Sequence, residues 1–226
     1  MTSVPVEGAI EVLLALVLVT GAFIVTRRDL LSLVSTYATQ SLLLALLALS
    51  LYLGQGGRLL LYLAVLTFAS KVVAIPYVIR RVQRKISIRR DIEFHYIGPV
   101  GSIFVTLVLV LIVYGSFSVI LREFSLSNLF YLGAVFGISL SLMGMMVTFS
   151  RTKIVTKILG YLMIENGVLL FSIFLIELPF IIEVLVMIDL IMLVLLAAVL
   201  AIGIDSSIEE FQNRLRRLGV LFREDD

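Results

Sequence analysis

Seven runs of about twenty mostly apolar residues follow one another along this chain, at 8–26, 30–53, 59–79, 98–121, 126–148, 154–176 and 181–203. Only short breaks separate most of them: Arg27-Arg28-Asp29, 54–58, 122–125, 149–153 and Glu177-Leu178-Pro179-Phe180. The exception is a longer basic stretch over 80–97. A run of this length that enters hydrocarbon must satisfy every backbone N–H and C=O within itself, so each is expected to be an α-helix. The chain is 61% hydrophobic, against about 45–50% in a soluble domain. The fold class that follows is all-α: a polytopic membrane helix bundle of about seven transmembrane helices. The residues Met1 to Gly8 lack a basic n-region and a small-residue cleavage site, so the first run reads as a retained span and not a signal peptide.

The basic residues set an orientation. With the N-terminus outside, the inner side carries Arg27, Arg28, the cluster from Arg80 to Arg90, Arg151, Lys153, Lys157 and the C-terminal arginines. Of 18 Lys and Arg, only Arg58 and Arg122 fall outside, and Lys71 lies within a span. The positive-inside rule then places the C-terminus in the cytoplasm. After Ile204, Ser206 and Glu209 have the spacing of a capping box. Ile208, Phe211, Leu215 and Leu218 recur at helical spacing among arginines. This tail reads either as an amphipathic helix on the cytoplasmic surface or as a helix that docks on a partner.

Several function classes drop out. There is no cysteine, which removes disulfides, thiolate metal sites and iron–sulfur ligation. A single histidine, His95 in the basic loop, does not make a multi-histidine metal or haem site. No cofactor and no metal are expected. A net charge of +2 does not suggest nucleic acid. The expected partners are membrane lipid and other membrane subunits, and the expected location is the plasma membrane of a prokaryote.

The chemistry is expected where charge enters the apolar runs. An Asp or Lys near the bilayer centre costs roughly 2.5 to 3.5 kcal/mol on insertion scales, and such residues commonly form ion or proton paths. At 1.5 Å per residue, Glu165, Asp189, Lys71 and Gln40 all lie roughly 12 to 20 Å from the outer ends of their helices, in a core about 30 Å thick. Four helices thus bring a costly polar side chain to one central layer. Lys71 is too deep to snorkel to the surface and needs a carboxylate partner or a changed protonation state. It reads as a proton relay, with a static helix-pairing ion pair as the alternative. Pro76 removes an N–H, which in a regular helix frees the Val72 carbonyl beside Lys71 and leaves room for a kink or a water. Glu183 lies close to the outer end and reads equally as an exit-side group or a solvated end residue. Glu11 is a weaker candidate for the same reason. Asn166, Thr36, Thr67 and Ser70 are of the kind that bridges membrane helices.

Spans one to three and five to seven run in the same direction, with span four between them. Each triplet has a basic break after its first helix, then Gln40 or Glu165, then Lys71 or Asp189. This is a parallel repeat of a kind seen in membrane transporters. It divides the chain into a three-helix unit with its basic loop (1–97), a linking helix (98–125), a second three-helix unit (126–204) and the tail (205–226).

The segment Lys157-Ile158-Leu159-Gly160-Tyr161-Leu162-Met163-Ile164-Glu165-Asn166-Gly167, with Ile182-Glu183-Val184-Leu185-Val186-Met187-Ile188-Asp189 and Ile97-Gly98-Pro99, resembles the membrane component E of formate-hydrogenlyase-type hydrogenases (hydrogenase 4). More distantly, the C-terminal triplet resembles the K subunit of NADH–quinone oxidoreductases and the C subunit of multisubunit cation/proton antiporters. The resemblance implies a non-catalytic membrane subunit of a complex that couples electron transfer to proton or sodium translocation, beside antiporter-like subunits. It implies that Glu165 is the first carboxylate of a hydrophilic axis along the membrane and that Asp189 or Glu183 is the second. Gln40 stands where an N-terminal copy would carry a carboxylate. The competing readings are a subunit of a cation/proton antiporter without a redox partner, and a purely structural membrane subunit.

Overall fold

The computed structural model describes residues 4–27, 29–86, 98–124, 128–151 and 154–175, together with 184, 187–189, 191, 192, 194, 195 and 198 of the last apolar run. All of these elements are helical: α1 (Val4–Thr26), α2 (Leu30–Gln55), α3 (Arg58–Thr67), a π-helical segment (Phe68–Ala74), α4 (Ile75–Ile86), α5 (Pro99–Phe124), α6 (Asn128–Ser150) and α7 (Ile154–Leu175). Among the described residues, six helices are long and apolar enough to cross a membrane, taking α3, the π segment and the start of α4 as one span. The described residues of the seventh run are helical as well. Glu183, His95 and the tail over 205–226 lie outside the described residues.

Local chemistry sets the ends. Asp29 caps α2, its carboxylate accepting from the Ser32 N–H at 3.1 Å; such a cap contributes about 1 kcal/mol. Gly56 ends α2 at φ 79°, a left-handed conformation costly for any other residue, and donates its N–H to the Tyr52 carbonyl. Pro99 opens α5, where its missing N–H costs nothing. The helix of the third span outlasts the apolar run that ends at residue 79: α4 continues through the basic residues to Ile86. Arg, Gln and Lys are good helix formers, so their charge ends the membrane span without ending the helix.

The bundle is organised by the close approach of α6 and α7. A Cβ on Gly144 would lie 2.6 Å from the Ile164 nitrogen and 2.8 Å from the Gly160 carbonyl oxygen. One on Gly167 would lie 2.5 Å from the Gly137 carbonyl oxygen. Small residues at helical spacing therefore let the two backbones touch, the usual source of cohesion where lipid competes for every apolar contact. The Ser141 hydroxyl has the Ile164 carbonyl at 3.2 Å across the same seam. This fixes the rotation of α7, and with it the direction of Glu165 and Asn166.

Around that pair, α1 lies against α2 and α6, and α2 lies against α3, the π segment and α7. A single apolar cluster joins them, including Ile10, Leu14 and Val17 of α1, Leu44 and Leu47 of α2, and Leu162 and Leu169 of α7. The α5 helix is peripheral, with Ile103, Phe104, Leu107 and Leu111 exposed along its outer face. Arg151 is not a surface charge. It is 2% exposed, and its guanidinium donates to the carbonyls of Arg27 at 2.6 Å and Val25 at 3.4 Å. A cation thus closes the C-terminus of α1, where the unpaired carbonyls and the helix dipole favour it.

Candidate functional site

The residues from separate spans converge on the Lys71 ammonium. Lys71 has no exposed surface. Its Nζ lies 3.0 Å from Glu165 Oε1, 3.3 Å from Asn166 Oδ1 and 3.5 Å from Asp189 Oδ1. The Asn166 contact is a hydrogen bond, and the two carboxylates meet the ammonium as ion pairs by distance. Glu165 is 3% exposed and Asp189 8%. Both carboxylates thus share one ammonium.

The backbone that presents Lys71 is irregular. It sits midway in the π segment, where the Ile75 N–H reaches back five residues to the Ser70 carbonyl. In that register the donor for the Lys71 carbonyl would be Pro76, which has no N–H. Proline therefore acts one residue earlier than a regular helix implies: the carbonyl it leaves without a helical donor is that of Lys71. A π turn of this kind commonly marks a functional position. Here it lets adjacent side chains reach one carboxylate, since Lys71 meets Asp189 Oδ1 and the Ser70 hydroxyl lies 3.1 Å from Asp189 Oδ2. The same hydroxyl lies 2.9 Å from the Leu66 carbonyl. With a single hydrogen to give, Ser70 can donate to either acceptor.

On the other side, a row of amides points at the cation. Lys71 can only donate, so Asn166 turns its oxygen toward it. The Asn166 amide nitrogen then donates to Gln40 Oε1 at 3.1 Å and to Ser41 Oγ at 3.2 Å. Gln40 in turn donates to the Val17 carbonyl at 3.4 Å. Gln40 is therefore coupled to the charged group through Asn166 and does not touch it. Amides do not titrate at ordinary pH; these orient their dipoles to favour the ammonium.

Tyr37 joins from α2 and was not foreseen. Its side chain is 1% exposed, and among the described residues its hydroxyl has no hydrogen-bond partner. It lies beside Ser41 and within electrostatic range of Glu165 and Asp189. The clue in the sequence is the spacing Tyr37-Gln40-Ser41, which puts all three on one face of α2. Among the described residues, Glu165 Oε1 and Oε2 and Asp189 Oδ1 are likewise buried without a hydrogen-bond donor. Buried polar atoms left over in this way are where proteins hold internal water.

Glu11 is exposed on α1, away from this centre. Glu183 lies outside the described residues. Among the described residues, no group of three His, Cys, Asp or Glu is placed to hold a metal ion. With Lys71, Glu165 and Asp189 all ionised, the centre carries one negative charge in excess. One proton on the carboxylate pair makes it neutral. No protein-family model, curated protein or solved structure matches this chain.

Proposed function

We propose that this chain is a non-redox membrane subunit of an energy-converting hydrogenase or a related complex I-like oxidoreductase. In this reading it passes protons at mid-membrane by exchange among Glu165, Lys71 and Asp189. The observation that supports it most is the uneven charge of the centre: one ammonium held between two carboxylates, all out of water. A fixed ion pair built for packing needs one anion for one cation, and buried pairs are already poor stabilisers beside apolar side chains. A second carboxylate adds a desolvated charge that only a proton removes, which suits a site that loads and unloads protons. The resemblance to hydrogenase component E supports the assignment to a redox-linked assembly.

The exchange follows from the contacts. When Lys71 pairs with Glu165, the proton resides on Asp189, and Ser70 turns its hydrogen to the Leu66 carbonyl. When Asp189 gives up its proton, the Lys71 ammonium shifts toward it and Ser70 donates to the free carboxylate. Glu165 then becomes the better proton acceptor. Each charge favours or opposes the next proton, so a change of charge in a neighbouring subunit drives the step.

Two measurements test this reading. Glu165→Gln and Asp189→Asn, introduced into the intact complex, leave assembly in place and abolish proton pumping in sealed vesicles. Normal pumping by the assembled double variant overturns the relay. Nickel–iron hydrogenase and iron–sulfur subunits are expected to co-purify with the tagged chain from native membranes. Isolation with antiporter-like subunits alone overturns the redox assignment and leaves the relay standing.

A further inference from the structure

A groove of about 540 Å³ runs between α2 and the span that carries Lys71, within the size range of small-ligand sites. Its inner wall is apolar, formed by Ala38, Val72, Val73 and Pro76. Tyr77, Arg80 and Arg81 stand at its other end. The helix stretch long and apolar enough to cross a membrane ends at Arg81, and arginines at such an end reach the level of the lipid headgroups. Val72 lies roughly 13 Å deeper at helical rise. Val73 and Tyr77 are 53% and 62% exposed, so the groove opens sideways into the bilayer.

The two arginines are held in place by neutral groups. Arg80 donates to Ser35 Oγ at 3.4 Å and Arg81 to the Tyr77 hydroxyl at 3.2 Å. Among the described residues, neither has a carboxylate within ion-pair distance. Two oriented cations at headgroup depth, above an apolar trench open to hydrocarbon, match a ligand with a phosphate at one end and an alkyl chain at the other. We propose that the groove seats an anionic phospholipid, its phosphate on Arg80 and Arg81 and one acyl chain along Ala38, Val72, Val73 and Pro76. The chain of the lipid then braces the π turn from outside, one residue from Lys71. The assignment does not depend on the proton relay.

The test uses the purified full-length chain, stripped of lipid in detergent and titrated with phosphatidylglycerol or phosphatidylcholine, with bound lipid counted by native mass spectrometry. Phosphatidylglycerol is expected to bind preferentially. The double variant R80Q/R81Q is expected to weaken it about thirtyfold, from the loss of two cationic contacts at the membrane surface. Ala38→Phe fills the trench and leaves both arginines intact; it is expected to weaken both lipids at least about tenfold. Equal binding of the two lipids by the unaltered chain overturns the proposal. So does undiminished phosphatidylglycerol binding by Ala38→Phe, which means that the headgroup is held at the surface with no lipid in the groove. Retention of a neutral isoprenoid in the groove in place of phospholipid also overturns it.

Discussion

Removing the cation and removing one anion from the centre have opposite consequences for stability, and the difference is large enough to measure. Lys71→Met keeps the length and most of the volume of the side chain but leaves Glu165 and Asp189 facing each other without a counter-charge. At an effective dielectric constant near 20, an ion pair at 3.0 Å corresponds to an attraction of about 5 kcal/mol. Desolvation offsets much of that in the intact protein, but it is not recovered when only one partner is taken away. Breaking a buried pair in this way costs about 3–5 kcal/mol. Asp189→Asn does the reverse. It leaves a neutral Lys71–Glu165 pair, keeps an oxygen for Lys71 and removes the need for a balancing proton, so its cost is expected to be below about 1 kcal/mol. For a chain of this size, each kcal/mol moves the melting temperature by about 2–4 °C. Thermal unfolding in detergent should therefore show Lys71→Met lowered by about 10 °C and Asp189→Asn almost unchanged. The charge argument is refuted if Lys71→Met melts with the unaltered protein, or if Asp189→Asn is the more damaged of the two.

Other consequences concern the scaffold and the proton path. Gly144→Leu puts a branched side chain where a Cβ already meets the α7 backbone at 2.6 Å; it is expected to prevent the close α6–α7 pairing, seen as loss of folded protein in size-exclusion chromatography. Arg151→Gln removes the charge that closes α1 and is expected to lower the melting temperature through a loss of about 2 kcal/mol, with proton pumping retained in what folds. Tyr37→Phe keeps the buried ring and removes the hydroxyl, which has no hydrogen-bond partner among the described residues. Stability is expected to change little, while the pumping rate falls roughly tenfold through loss of a water anchor beside the carboxylates.

Much of the architecture was legible because the bilayer restricts the choices. Apolar runs of helical length could only be helices, and the depth of Glu165, Asp189, Lys71 and Gln40 could be counted from the helix ends. Depth does not give rotation, however. Whether these side chains face one another depends on how α7 is turned, and that is set by Gly144, Gly160 and Gly167, whose role lies in helix contacts and not in hydropathy. Pro76 marked the irregular backbone, but a regular helix assigned the freed carbonyl to Val72; the π turn transfers it to Lys71. Arg151 counted among the cytoplasmic charges because its composition is that of a surface residue, and only packing against the end of α1 shows it to be buried. Tyr37 passed unnoticed because tyrosines are common at membrane interfaces and nothing in its neighbours' hydropathy sets it apart. The third apolar run ends close to where the sequence places it, but its helix runs on to Ile86, because basic residues leave the membrane without leaving the helix.

The account stands or falls on the single proton that balances one ammonium against two carboxylates. Infrared difference spectroscopy of the purified protein in H₂O and D₂O counts protonated carboxyl groups that exchange with solvent. One buried, exchangeable carboxylic acid is expected in the unaltered chain, and none in either Glu165→Gln or Asp189→Asn, where the remaining carboxylate pairs with Lys71 alone. A spectrum without such a band, or a band that persists unchanged in both variants, contradicts the account.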